Sequence, residues 1–220
     1  MSNVKTFFAN RTGHDVVGIS ATFKKVLHST LGKAEAREND MISFSRIEPE
    51  VESDALIAFM TSNTWPFHMN SNPSAEYIRD AIADGAYRNS ENDSYWIDHV
   101  ELGRIGFFRL EDLEDDTPVF DLRLDQKYRG RGLGVEILVR ATGWVFDKLP
   151  RIRRFEGQTR EDNVAMRKTF LKAGWVKEAH YRQGWPVDGG EPLASVAYAV
   201  LRSDWENGST TLVPWADDDL

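Results

Sequence analysis

The chain has 220 residues, of which 41% are hydrophobic and 11% aromatic, and it carries a net charge of −8. A chain of this length and composition buries one sizeable core, so it is more typical of one domain with additions than of two. The negative charge disfavours a general nucleic-acid-binding protein and a protein held on anionic lipid, because both need a basic surface.

Cysteine is absent, which excludes disulfides, thiolate metal sites and a cysteine nucleophile. The start of the chain lacks a signal-peptide pattern, and no apolar stretch approaches the roughly 20 residues that span a bilayer. His68 and His99 are isolated histidines, and no pair of histidines has metal-ligand spacing. We therefore expect a cytoplasmic protein without a metal site, a nucleic-acid partner or a membrane partner.

Residues 1–40 form a predicted N-terminal extension. Apolar residues recur at helical spacing from Val16 to Leu31, and Gly32 is a typical helix end. The pattern leaves open whether the extension packs on the main domain or on a second subunit, which would make the protein a homodimer.

Residues 41–205 form the predicted main domain. Its patterns give, in order, one strand, two helices, three strands, a helix, a strand, a helix and two strands. This order predicts a mixed α+β fold with a sheet of about seven strands. Residues 206–220 form an acidic tail that we expect to be loose.

A run of glycines and cations, QKYRGRGLGVEIL at 126–138, follows the predicted strand at 119–125 and opens a helix of about four turns. Main-chain N–H groups and the helix dipole make such a helix start an anion site. Glycine also lets the backbone approach a bulky diphosphate and adopt a positive φ. Cations and glycines alternate through the run: Lys127, Arg129, Gly130, Arg131, Gly132 and Gly134.

Three alternatives to a diphosphate cradle fit this run less well. Simple turn chemistry accounts for one glycine but not for three at alternate positions. A GxxxxGK[ST] phosphate loop is absent. A dinucleotide fingerprint fails because Val135 and Ile137 stand where its last glycine belongs, and only one further helix follows.

Two motifs together resemble the GNAT superfamily of N-acetyltransferases. The first is R-x-x-G-x-G at residues 129–134, which we call the glycine loop. The second is TREDN at 159–163 followed by VAMRKTFLKAGW, similar to the superfamily's strand and helix beside acetyl-CoA. Within the superfamily, WP at 65–66 before SAE at 74–76, and YRQG at 181–184 before SVAYAVLRSDW, resemble the RimJ/RimL-type N-terminal acetyltransferases. The resemblance covers roughly residues 42–205 and implies a central, mostly antiparallel sheet with flanking helices.

The resemblance implies acetyl-CoA as the cosubstrate. Its pyrophosphate would lie on the main-chain amides of the glycine loop, with Arg129 as a phosphate contact and Arg131 either a contact or a solvated charge. Its pantetheine arm would follow the strand, with a main-chain N–H near Leu124 facing the thioester oxygen, whose charge grows during attack. Asn163 has a second interpretation as a simple helix cap. The residues assigned to the cofactor are Leu122, Arg123, Leu124, Arg129, Gly130, Arg131, Gly132, Leu133, Gly134, Asn163 and Phe170.

Three positions depart from the family pattern. A tyrosine that often serves as general acid is Phe170 here, a serine of RimL-like members is Met166, and a glutamate before the loop is Val119. Asp121, on the same strand face as Val119, is the best replacement base, although a salt bridge at the sheet edge explains it nearly as well.

Three further side chains are candidates around the acceptor. Tyr181 is a possible proton carrier, and Trp65 and Ser195 are possible acceptor contacts; ordinary packing is the competing interpretation of each. The acidic turn at 111–116 would help to attract a cationic acceptor, or is simply solvated.

The absence of the usual base bears on the acceptor. At pH 7 a lysine amine must lose a proton held with a pKa of about 10.4, which costs roughly 4.6 kcal/mol, whereas an α-amine near 7.8 costs only about 1 kcal/mol. We therefore predict an α-amine acceptor, either a protein N-terminus or an aminoacyl compound. The alternatives are an enzyme of the same fold acting on a small amine, such as an aminoglycoside, a polyamine or a toxin, and a non-catalytic acyl-CoA-binding module.

Overall fold

The structure is a computed structural model that describes residues 40–187 and 189–215. These residues belong to the second of the two units into which the chain divides, Asp40–Leu220. The helix predicted in the N-terminal extension lies outside the described residues, as do the last residues of the acidic tail.

The elements follow the predicted order. The strands are β1 (Ile42–Arg46), β2 (Asp93–His99), β3 (Gly103–Glu111), β4 (Val119–Leu124), β5 (Arg154–Arg160), β6 (Val176–Trp185) and β7 (Leu193–Leu201). The helices are α1 (Ser53–Thr61), α2 (Ala75–Ala83), α3 (Leu133–Lys148), α4 (Val164–Lys172) and α5 (Arg202–Asn207), and a 3-10 turn spans Gln126–Tyr128. The mixed α+β prediction is therefore confirmed.

The strands divide into two antiparallel sheets, which corrects the prediction of a single sheet. Within the described part of the chain, one sheet has four strands in the order β1-β2-β3-β4 and the other has three in the order β5-β7-β6. The two meet where β4 and β5 begin: Arg153 N–H donates to Asp116 O at 2.9 Å and Glu156 N–H donates to Pro118 O at 3.1 Å. Because these bonds advance in the same direction on both segments, β4 and β5 start side by side and parallel, and then part.

Aromatic side chains fill the space where the two strands part. The Phe120 ring lies 5.1 Å from the Phe155 ring and 6.1 Å from the Phe170 ring, centroid to centroid. Gly157 lies against them, and a Cβ there would be 2.6 Å from an atom of Phe120 and of Phe170. A gap between β4 and β5 therefore has an aromatic floor that requires glycine at position 157.

The central strands of the four-stranded sheet, β2 and β3, are buried on both faces. Side chains alternate along a strand, so Phe108 packs in the core beneath α3 while its neighbour Phe107 packs in a second core beneath α1 and α2. This double burial explains why β2 and β3 are hydrophobic at many successive positions. The first core is completed by one stripe of α3, as the helical spacing predicts. The stripe includes Ile137, Leu138, Ala141 and Val145.

The start of the predicted tail is bonded to the domain. The Asp204 carboxylate in α5 accepts from Ser209 Oγ at 2.9 Å and from Thr211 N at 2.8 Å. Within the ranges that the structure describes, no helix is both long and apolar enough to cross a bilayer.

Candidate active site

The glycine loop has the backbone conformation that its glycines allow. Gly130 has φ +74° and Gly132 has φ +85°, both in the left-handed region that other residues rarely adopt. Gly132 caps the N-terminus of the 16-residue helix α3. Among the described residues, no main-chain N–H of residues 130–134 donates a hydrogen bond. The loop therefore presents a run of unsatisfied donors at the positive end of a helix, which fits a diphosphate.

Arg131 differs from the other cations of this run. It is exposed, its guanidinium lies 5.6 Å from the Tyr128 ring, and it has no ion pair in the described part of the chain. Lys127 is instead paired with Asp125, with Nζ 3.4 Å from Oδ2. Arg131 is thus available to a phosphate group.

Arg129 is engaged inside the protein. Its Nε donates to Leu124 O and its Nη1 to Thr64 O, both at 2.8 Å, and its guanidinium lies 4.7 Å from the Trp65 ring. Burial lowers the pKa of this guanidinium from its ordinary value, although arginine stays charged. Arg129 ties the end of β4 to the loop between α1 and α2, and only its buried Nη2 lacks a partner among the described residues.

The free edge of β4 presents alternate main-chain groups to the gap. Asp125 N–H donates to Ile105 O at 3.0 Å, so the odd-numbered residues of β4 bond to β3 and the even-numbered ones face β5. Leu122 and Leu124 therefore point their N–H groups into the gap, as the resemblance implies for a pantetheine-binding strand. Arg123 does not: its main chain faces β3.

Asn163 is a helix cap. Its Oδ1 accepts from Met166 N at 3.2 Å, and its Nδ2 donates to Thr159 Oγ1 at 3.0 Å. The cap interpretation is confirmed, and one amide hydrogen remains for the cofactor contact that is still a prediction. Phe170 is fully buried and stacked on Tyr198, with centroids 4.7 Å apart and planes at 6°.

Asp121 is held by cations on the opposite face of the four-stranded sheet from α3. Its Oδ2 accepts from Arg123 Nε at 2.9 Å and lies 3.9 Å from Arg109 Nη2, and its Oδ1 accepts from His68 Nε2 at 3.0 Å. Burial alone would raise the pKa of this carboxyl, but Arg123, His68 and Arg109 outweigh it and hold the pKa well below its usual range. A carboxylate with so little proton affinity is a poor general base, so the ion-pair interpretation of Asp121 is the better one.

His68 is isolated in the sequence but paired in the fold, because its partner is 53 positions away. The ring is fixed between Asp121 and Trp65, whose ring centroid is 6.0 Å away at an interplanar angle of 76°. Its second nitrogen, Nδ1, is buried without a hydrogen-bond partner in the described part of the protein. No local sequence pattern indicates this pairing, because the pairing forms only when the α1–α2 loop packs on β4.

The predicted acceptor contacts lie elsewhere than expected. Trp65 is 2% exposed and its Nε1 donates to Met60 O at 2.8 Å. Its ring lies against His68 and Arg129 and presents no surface to an acceptor. Ser195 is buried and donates to Gln158 Oε1 at 3.0 Å. Tyr181 is its register partner in the three-stranded sheet and is 51% exposed, so the structure does not join it to Asp121.

Two carboxylates, at the two ends of the acidic turn, are bound to arginines. Glu111 Oε1 accepts from Arg109 Nη2 at 2.6 Å, and Asp116 pairs with Arg153. These two carboxylates are therefore not free to attract a cationic acceptor. Across the described ranges, no group of three histidine, cysteine or acidic side chains has the arrangement of a metal site.

Comparison with known proteins agrees with this geometry. Residues 42–176 match the family described as acetyltransferase (GNAT) domain. Among solved structures, spermidine N-acetyltransferase from Vibrio cholerae in complex with CoA and spermine is 13% identical, with a TM-score of 0.64 over 76% of this chain and 99% of that one. Its dodecameric structure in an intermediate state is 13% identical, with a TM-score of 0.62 over 78% of this chain and 99% of that one. At such identity the likeness shows the fold alone. No curated protein matches the chain.

Proposed function

The chain belongs to the GNAT acetyltransferase family and is an acetyl-CoA-dependent N-acetyltransferase, and we propose that it acetylates an α-amine, either of a protein N-terminus or of an aminoacyl compound. Acetyl-CoA supplies the activated acetyl group when it is bound. The glycine loop and Arg131 would hold its diphosphate, and the free N–H groups of Leu122 and Leu124 would hold its pantetheine arm and thioester oxygen.

The observation that carries the choice of acceptor is the charge of the face on which Asp121 lies. Polyamines bear several positive charges, and a site for them needs carboxylates that are not already neutralised. The two carboxylates that β3 and β4 place on this face are each bound to an arginine: Glu111 to Arg109 and Asp121 to Arg123. Arg129 adds a further positive charge over Trp65. An acceptor with one amine and a neighbouring carbonyl group suits this face better than a polycation.

The energy of deprotonation supports the same choice. A lysine side chain needs roughly 4.6 kcal/mol to reach its neutral form at pH 7, whereas an α-amine needs about 1 kcal/mol. The pKa of Asp121 is too low for it to make up that difference, because Arg123 already neutralises its charge.

A small-amine acceptor is the second candidate, and one observation favours it: the spermidine N-acetyltransferases share the fold over most of this chain. Three matched acceptors separate the candidates: a lysine-free peptide with a free N-terminus, the same peptide blocked at its N-terminus and carrying one lysine, and spermidine. We expect the first to be acetylated fastest in a mass-spectrometric assay with acetyl-CoA. Faster acetylation of spermidine or of the lysine would contradict the α-amine proposal.

The glycine loop is tested by calorimetric titration of acetyl-CoA. Gly132→Asp places a negative charge in the cradle, whereas Gly132→Asn makes the same change in shape without the charge, and both residues tolerate a positive φ better than most. We expect binding to weaken at least tenfold more in Gly132→Asp than in Gly132→Asn. Gly103→Asp is the control, because Gly103 also has φ +71° and open space around it. Equal losses in both Gly132 variants would mean that the loop does not meet an anion.

A further inference from the structure

We propose that His68 takes the proton from the acceptor's ammonium group through Nδ1 and that Asp121 is the residue that positions it. The proposal rests on the acetyl transfer to an amine proposed above. It starts from two facts about one ring: Nε2 lies 3.0 Å from Asp121 Oδ1, and Nδ1 is buried without a partner among the described residues.

The partner of Nε2 decides where the proton of the neutral ring lies. Asp121 is ionised and bound by Arg123, so it can only accept hydrogen bonds. Nε2 must therefore carry the hydrogen, and Nδ1 is left with a lone pair. A buried acceptor without a donor is costly and is rare outside functional sites. An ammonium group entering between the α1–α2 loop and β4 would supply the donor that Nδ1 lacks.

The main chain that carries the ring is fixed within its own loop. His68 N–H donates to Trp65 O at 3.0 Å, and Trp65 N–H donates to Ser71 O at 2.8 Å, which closes the turn that carries the ring. Trp65 itself is anchored by its bond to Met60 O. A proton acceptor whose position is set before the substrate arrives is more effective than a mobile one.

Charged groups lie around the ring on three sides. Asp121 favours a proton on His68, because the pair then becomes an ion pair. Arg123 and Arg109 oppose it from β4 and β3, at 2.9 and 3.9 Å from the same carboxylate, and Arg129 opposes it from across Trp65. Histidine is the side chain whose ordinary pKa is near neutrality, as a reversible proton acceptor needs.

His68 and Asp121 lie on the side of β4 from which the acceptor would approach. Asp121 stands between Phe120 and Leu122, and side chains alternate across the sheet, so its carboxylate faces the α1–α2 loop while the edge amide of Leu122 faces the gap. The acceptor would come from the loop side and the acetyl group from the gap. The ammonium gives one proton to Nδ1, the neutral nitrogen bonds to the acetyl carbon as the C–S bond breaks, and the second N–H proton leaves with the thiolate as CoA–SH.

The first test is the pH dependence of kcat/KM for the N-terminal peptide. His68→Gln keeps an amide N–H for Asp121 but has no basic nitrogen, so the variant can use only acceptor that is already neutral. We expect a loss of up to about tenfold at pH 7 that shrinks as the pH rises through the α-amine pKa near 7.8. His99→Gln is the matched control, because His99 is also buried but its Nδ1 already accepts from Glu101 N at 3.1 Å. A His68→Gln profile parallel to that of the wild type would overturn the proposal.

Asp121→Asn tests the positioning residue. Without the carboxylate the protonated ring is less stable, so the rising limb of the profile should move to lower pH while the rate at its plateau falls. A purely structural role would lower the amount of active enzyme without moving the limb. If the limb stays in place, Asp121 does not act through His68.

A measurement that does not depend on catalysis tests this inference separately from the proposed function. The ¹⁵N shifts of the His68 ring in the free protein should show hydrogen on Nε2 and none on Nδ1. The opposite tautomer would overturn the inference even if the enzyme acetylates peptides. A wild type that acetylates no amine would instead overturn the proposed function, whatever the tautomer.

Discussion

Gly157→Ala tests whether the aromatic floor between β4 and β5 leaves no room for a methyl group. The new Cβ would lie 2.6 Å from Phe120 Cε1 and from Phe170 Cζ, whereas non-bonded carbons prefer about 3.5–4.0 Å. Neither ring can move freely: Phe120 lies 5.7 Å from Trp175, and Phe170 is stacked on Tyr198 at 4.7 Å. Both contacts would have to open to admit one carbon atom.

The expected cost follows from these contacts. Overpacking a dense core costs about 1–3 kcal/mol, and the gain from replacing a glycine in the unfolded chain, about 0.4–1 kcal/mol, offsets part of it. We expect a net loss of about 1–2 kcal/mol, which lowers Tm by about 2–8 °C for a chain of this size.

Thermal unfolding of Gly157→Ala beside Gly143→Ala measures this cost. Gly143 lies inside α3, and a Cβ there would be 3.7 Å from its nearest neighbour, Trp205 Nε1, so alanine should fit and raise stability by about 0.5–1 kcal/mol. The two variants make the same chemical change and should shift Tm in opposite directions. A Gly157→Ala protein as stable as the wild type would refute the reasoning, because the floor would then have space that the structure does not show.

Two further predictions concern single side chains. Arg129→Ala removes the donors of two main-chain carbonyls and should lower stability by about 1–3 kcal/mol. Arg131 is exposed, so Arg131→Ala should change stability by less than about 0.5 kcal/mol and weaken acetyl-CoA binding instead. Thermal unfolding measures the stability and calorimetry the binding, and the reverse pattern would contradict the prediction. Burial raises the pKa of Asp204, but hydrogen bonds from Thr211 and Ser209 outweigh it and lower the pKa. The contribution of Asp204 to folding stability is therefore fully present above its ordinary pKa of about 3.9. It is lost as the pH falls through the lower pKa that Asp204 has in the folded protein. Tm followed from pH 6 to pH 2 should fall less steeply in Asp204→Asn than in the wild type, and parallel curves would contradict this.

Local patterns predict the elements and the cofactor side of the site. The apolar stripe of α3 can be read from residues close together in the sequence. Because these residues share one face of the helix, the sequence predicts which face is buried. Gly130 and Gly132 have the positive φ that their place before a helix suggests. The sequence assigns Leu122, Arg123 and Leu124 alike to the cofactor, and only the pairing of β4 with β3 separates them, because it turns the main chain of Arg123 away from the gap.

The acceptor side depends on contacts between distant segments, and sequence patterns do not report these. The polar loop around Trp65 suggests an exposed ring, but two arginines and the carbonyl of Met60 surround it in the fold. Asp121 has the position of a base in its strand, and nothing local shows that Arg123 and His68 both bind its carboxylate. The division into two sheets is likewise invisible locally, and contacts between distant rings mark it: Phe120 of one sheet meets Phe155 and Phe170 across the gap.

Arg129, the leading residue of the cofactor motif, also joins the two sides of the site. One of its nitrogens holds the carbonyl of Leu124, on the strand that would carry the pantetheine arm, and another holds the carbonyl of Thr64, in the loop that carries His68. Its flat guanidinium lies over Trp65 at the same time. A lysine could bond one of these carbonyls but could not bridge both and stack on the ring, because its charge is a single point at the end of a flexible stem. The requirement for a planar, forked donor at this position therefore follows from the need to fix the loop that carries His68 to the strand that carries Asp121.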